Sequence, residues 1–159
     1  MGSISQHNPV RLFVSHAFEP SDDYHRVFEY LESSHNFYYR NCSNPDFAGS
    51  SREAMKEELR KQINLAEVVI ALPALYEVQP DQTIFQMNYA KSQKKPVLLM
   101  QYFGTARPLP KLLLDRCAED VNWEERAMVD AIKRHARGEN TARFETVEFN
   151  PDEFKDFKL

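Results

Sequence analysis

The sequence predicts an α/β protein: a parallel β-sheet with helices on both faces. Three observations carry that expectation. The runs AEVVIALPAL and VLLM are apolar at nearly every position, as strands covered on both faces must be. The segments between such runs place apolar residues at helical spacing. Strand-like and helix-like segments alternate with short connectors, which implies successive βα units and hence parallel pairing. With 159 residues the chain fits a single domain with a sizeable core.

The elements follow in order. VRLFVSH is the first strand, with Val10, Leu12 and Val14 on one face and Phe13 on the other. A helix is expected over 22–33, capped by Ser21, with Tyr24, Val27, Phe28 and Leu31 on its apolar stripe. NFYYRNC, residues 36–42, reads as a second strand because aromatic side chains suit a pleated, half-buried surface. SNPDFAGSS is a loop by composition. Ser50 and Glu53 are then expected to form a capping box for a helix whose stripe is Met55, Leu59, Ile63 and Ala66. The run AEVVIALPAL is the third strand. Pro80 or Asp81 starts the next helix and Pro96 stops it before the fourth strand, VLLM. A last strand at AEDVNW leads into a helix over 124–137, with Asn122 and Glu125 as a second capping box. The expected organisation is a flexible start at 1–8, a domain over 9–140, and an extension over 141–159.

Composition narrows the function classes. Apolar residues make up 42% and charged residues 28%, ordinary for a globular protein. The formal net charge of −4 argues against broad nucleic-acid binding, which needs an excess of Lys and Arg. Two cysteines, Cys42 and Cys117, offer neither a disulfide framework nor zinc spacing. No apolar run approaches the ~18–20 residues of a membrane span, and no segment reads as a signal peptide, so a cytoplasmic protein is expected. The five histidines never form an HxH or HxxxH pair, and no metal site is expected.

Ligands of parallel α/β sheets bind beyond the carboxyl ends of the strands. Those ends are SHAFEPSDD, NCSNPDFAGSS, PALYEVQPDQ and QYFGTARPLP. The first has no glycine, so the dinucleotide fingerprint and the P-loop are both excluded. ALPAL lacks the aspartate that a phospho-receiver needs after its third strand. GxSxG is absent, and no Ser, His and Asp order suggests a hydrolase triad. Asp22 and Asp23 in the first loop are of a kind that binds metal, but at the start of a helix such residues more often offset its dipole. Arg40 reads either as a salt-bridged strand residue or as an anion contact. His16, at the rim of the expected cleft, reads as a hydrogen-bonded rim residue or a ligand contact.

Within VRLFVSHAFEPSDD, the residues Leu12, Phe13, Val14, Ser15 and His16 with acidic residues after them resemble the first strand and loop of Toll/interleukin-1 receptor (TIR) domains. QTIFQMNYAKSQKKPVLLM is similar to a later segment of that family, with Ala90, Lys95 and Pro96 in register. The likeness spans residues 10 to about 137. SHA, DDYHRVFEYL and FYYRNCS, with no attached receptor domain, look most like the stand-alone bacterial TIR proteins of Thoeris-type antiphage defence. The resemblance implies a flavodoxin-like sheet in order 2-1-3-4-5. It implies cleavage of NAD+ at the nicotinamide–ribose bond to give an ADP-ribose-derived signal for a separate effector, with NAD+ as substrate and no cofactor. It also implies self-association through TIR–TIR contacts, the loop after the second strand among them. On this likeness Ser15, His16 and Ala17 line the ribose and phosphate side, and Arg40, Asn41 and Ser43 the second-strand side. Tyr76, Phe18 and Phe47 are candidate aromatic walls.

Counting four residues back from Ala90 gives Gln86 where the family has its catalytic Glu, and Gln82 where an aromatic is expected. Breaking the ribose–pyridinium bond leaves positive charge on the sugar, which a carboxylate stabilises and an amide does not. Four readings stay open. Gln86 is an introduced replacement of Glu; or it is natural, in a domain that binds without turnover. Alternatively Glu77 or Asp81 does the work, or the register is off and Gln86 is an ordinary helix-surface residue.

Overall fold

The computed structural model describes residues 2–19, 21–49 and 51–141. Five strands pair in parallel: β1 (Val10–Val14), β2 (Tyr39–Asn41), β3 (Val68–Ala71), β4 (Val97–Met100) and β5 (Glu119–Val121). Their order across the sheet is β2-β1-β3-β4-β5. This is the flavodoxin-like arrangement, and it places the ends of β1 and β3 side by side at the point where the winding reverses. The register sets Leu12 beside Val68 and Val14 beside Ile70.

Alternation along β1 divides the core in two. Val10, Leu12 and Val14 pack on one face with α1 (Asp22–Glu32) and α6 (Glu125–Arg137), through Val27, Leu31, Met128 and Ile132. Phe13 packs on the other with α2 (Arg52–Leu65) and α4 (Pro80–Ser92), through Leu59, Ile63, Met87 and Ala90. β3 and β4 are buried at every position, which is why their sequences do not alternate. Each fully buried Val, Leu or Ile side chain stabilises the fold by roughly 1.5–3 kcal/mol.

Several element ends differ from expectation. β2 is three residues, shorter than 36–42, because Asn36 takes a positive φ of 60° and the chain turns before it can pair. The cap of α2 is Ser51, whose Oγ accepts from Ala54 N–H at 3.1 Å; Ser50, the expected cap, lies outside the described residues, and Ala54, not Glu53, is the third residue of the helix after Ser51. Glu124 is the N-cap residue of α6 and makes no side-chain cap; Asn122 and Glu125 form no box. The Glu125 carboxylate instead accepts from Ser33 Oγ at 2.9 Å. Ser21 does cap α1, accepting from Tyr24 N–H, and Asp22 and Asp23 stand in its first turn. PALYEV, read above as the end of a strand and a loop, folds as a short helix α3 (Pro73–Val78) with Pro73 in its first turn. The fourth unit contains only the single-turn helix α5 (Lys111–Leu114).

Residues 2–8, expected to be a flexible start, are hydrogen-bonded to the domain. Ser5 and Asn8 form an antiparallel bridge, and the Arg137 guanidinium donates to Gly2 O at 2.7 Å and Pro9 O at 3.2 Å. The same side chain forms a two-pronged pair with Glu67, at 2.6 and 3.0 Å. The extension expected over 141–159 lies, from residue 142 onward, outside the described residues. No helix among the described residues is long and apolar enough to cross a membrane.

Candidate functional site

Ser15 joins the carboxyl ends of β1 and β3. Its N–H donates to Ile70 O at 2.9 Å, and its Oγ accepts from Leu72 N–H at 3.1 Å, where α3 begins. The next residue, His16, is 1% exposed and both of its ring nitrogens are engaged. Nδ1 accepts from Phe18 N–H at 3.1 Å, so the proton of the neutral ring belongs on Nε2, which donates to Gln62 Oε1 at 2.9 Å. Burial holds this imidazole below its usual pKa, outweighing the Gln62 hydrogen bond and the Glu58 charge that favour protonation. His16 is therefore a neutral, locked residue under the first loop.

Gln62 was not among the residues the sequence singled out. Its Oε1 also accepts from Asn44 N–H at 2.9 Å, and its Nε2 donates to Asn44 O at 3.2 Å and Glu58 Oε2 at 3.0 Å. One side chain thus ties the first loop, the loop after β2, and α2. A signal was available: Gln62 lies three residues from Leu59 and four before Ala66, so it is a polar residue inside the apolar stripe of its helix.

Phe18 has φ of 63°, a left-handed conformation rare for a bulky side chain. The bond to His16 Nδ1 holds it there, and its ring lies 5.0 Å from the His16 ring and 5.9 Å from that of Phe47. The loops after β1 and β2 meet through these aromatic rings. Tyr76 of α3 joins Phe18 in packing against the α2–α4 side of the core. Ala17 is half-buried beside them.

Gln86 is fully buried, so it is not a helix-surface residue. Its Nε2 donates to His16 O at 2.6 Å. Because a carbonyl can only accept, the amide nitrogen must face it and Oε1 must turn away. That Oε1 is buried with no hydrogen-bond partner among the described residues, and the same holds for Oε1 of Gln82. Residues four apart share a helix face, with β-carbons about 5–6 Å from each other. Each unsatisfied buried acceptor costs roughly 1–3 kcal/mol.

Asn41 and Ser43 are hydrogen-bonded together around a residue the sequence reading left in the core. Tyr24 Oη lies 2.9 Å from Ser43 Oγ and accepts from Asn41 Nδ2 at 3.0 Å, while Asn41 Oδ1 accepts from the Ser43 backbone and hydroxyl. The Tyr24 ring meets that of His16 edge-on at 6.3 Å, which links this network to the first loop. Arg40 is not brought into it: it is exposed, in a separate surface hollow with Glu32 and Tyr39. Neighbouring residues of a strand point to opposite faces, and Arg40 is turned away from Asn41 and Tyr24 for that reason.

The alternative carboxylates are placed elsewhere. Glu77 is ion-paired with Arg107, whose guanidinium also lies 4.4 Å from the Tyr102 ring centre. Asp81 is exposed in the first turn of α4. Among the described residues no group of three or more His, Cys, Asp or Glu side chains could hold a metal. No protein-family model matches this chain, and no curated protein matches it. What the geometry offers is a neutral floor beneath two loops, with two amide oxygens able to accept from hydroxyl donors and no negative charge at position 86.

Proposed function

We propose that this chain is a TIR-type protein of the stand-alone bacterial antiphage kind, whose cleft at the ends of β1 and β3 takes NAD+ or an ADP-ribose-type nucleotide by its ribose. The observation that supports this reading is the pair of unpartnered acceptors, Gln82 Oε1 and Gln86 Oε1, on one face of α4. A ribose presents two adjacent hydroxyls, donors of matching number, and Phe18, Phe47 and Tyr76 supply apolar cover. Ligand entry displaces the first loop, whose strained Phe18 is its weakest point.

Binding exceeds turnover on this reading. The amide at position 86 cannot balance the positive charge that develops on the sugar, a loss on the order of 10²–10³ in rate. Any ADP-ribose-derived signal that forms acts on a separate effector.

The test is titration calorimetry with ADP-ribose and NAD+, with nicotinamide release followed for the chain and for Gln86→Glu. Saturable heat with both ligands is expected, with release slow in the chain and about 10²–10³-fold faster in the variant. A carboxylate cannot donate to His16 O, so the variant is also expected to lose roughly 1–3 kcal/mol of stability. No saturable heat with either ligand sinks the reading. Self-association would then be the surviving role, and the exposed Leu112 and Leu114 on α5 are where its interface would be sought.

A further inference from the structure

A second hollow opens at the carboxyl ends of β4 and β5, with a volume of about 560 Å³. That is within the range of small-molecule sites, about 300–1,000 Å³. Three aromatic side chains build its wall. The Trp123 ring meets Tyr30 of α1 edge-on at 5.5 Å and Phe103 at 5.4 Å. Trp123 is fixed by its Nε1–H, which donates to Gln101 O at 2.6 Å. Phe103 stays 40% exposed although the Arg26 guanidinium lies 3.9 Å from its ring centre.

The polar groups are few. Tyr102 lines the hollow through its ring and is 8% exposed; its hydroxyl is itself buried, with no hydrogen-bond partner among the described residues, and is not open to a ligand. Asn122 stands exposed at the rim. The Gln101 amide is already committed to Asp120 Oδ2 at 2.6 Å. None of the described lining residues is acidic or basic.

We infer that this hollow is a binding site for the base of a purine nucleoside, distinct from the cleft at Gln86 and independent of the function proposed for it. An ionic ligand would meet no charge among the lining side chains, and Arg26, stacked on Phe103, is already paired with Asp23 at 2.6 Å. A purely aliphatic one would gain nothing from the Asn122 carboxamide at the rim. A flat heteroaromatic ring satisfies both conditions: it stacks on aromatic faces, and its edge carries donors and acceptors. The Asn122 carboxamide presents a donor and an acceptor in one plane, the pattern that matches an adenine edge.

Trp123 is the chain's single tryptophan, so fluorescence excited selectively over the tyrosines reports on this hollow. Adenosine is expected to quench it saturably. Phe103→Ala and Asn122→Ala are each expected to weaken binding roughly tenfold or more, with far-UV circular dichroism unchanged. Both residues are exposed, so at least one variant should fold normally. Tyr102→Phe should raise the melting temperature of the free protein, since it removes an unpaired buried hydroxyl, and should leave adenosine binding unchanged. Gln86→Met should leave the response intact. The proposal is overturned by any of three results: no saturable change with adenosine; an equal response to a neutral disaccharide; or a response lost in Gln86→Met and kept in Phe103→Ala.

Discussion

Gln62 has four hydrogen-bonding positions on its amide, and the fold uses all four. Gln62→Leu keeps the volume but leaves the buried His16 Nε2–H without its acceptor. The expected cost is about 1–3 kcal/mol, read from urea unfolding. His16 also gives stability a pH dependence. Its folded pKa lies below the ordinary 6.5, so protons bind preferentially to the unfolded chain. The stabilisation is complete above that ordinary value and is lost as pH falls through it towards the lower folded value. His16→Gln should flatten this part of the profile of unfolding midpoint against pH.

At the scale of elements, capping separates two serine- and asparagine-bearing loops that look alike in sequence. Ser51 Oγ bonds the third amide of α2, and Ser51→Ala should cost about 1 kcal/mol in chemical denaturation. Asn122 has no such role at the start of α6, so Asn122→Ala should leave stability within about 0.5 kcal/mol of the parent. α3 shows the reverse case. A six-residue helix has little stability of its own. It forms where Ser15 Oγ fixes the Leu72 N–H and Pro73 presets φ in its first turn.

Across the whole molecule, Arg137 closes the domain by linking the end of α6, the start of β3 and the N-terminal segment. It pairs with Glu67 while nearly fully buried. Arg137→Met should cost about 3 kcal/mol by thermal melting, the low end for a broken buried pair, because Arg11 still bonds Glu67. The pH response follows from Glu67. Burial pushes its pKa up, but hydrogen bonds and charge from Arg137 and Arg11 outweigh that and hold the carboxyl below its usual 4.5. The stabilisation is therefore present above that value and lost as pH falls through the folded pKa. In Arg137→Met the acid-side loss of melting temperature should be smaller than in the parent.

The sequence by itself determined the layer architecture. Short apolar runs bounded by turn signals fit strands covered on both faces, and helical stripes between them leave parallel pairing as the way to bury both. It also determined the capping of α1 by Ser21 and narrowed the start of α4 to Pro80 or Asp81, because those are local signals carried by one or two residues. Ser15, His16 and Gln86 could be picked out as neighbours of a strand end or of a motif. Their chemistry could not, because a side chain's role depends on what faces it. Only the tertiary structure set the Gln86 amide against the carbonyl of His16, seventy positions away in the chain, and so turned its oxygen into a buried, unpartnered acceptor. It alone brought Gln62 under His16, and it turned Arg40 out of the cluster. These are contacts between distant segments, fixed by packing and hydrogen-bond satisfaction, and no spacing along the chain encodes them.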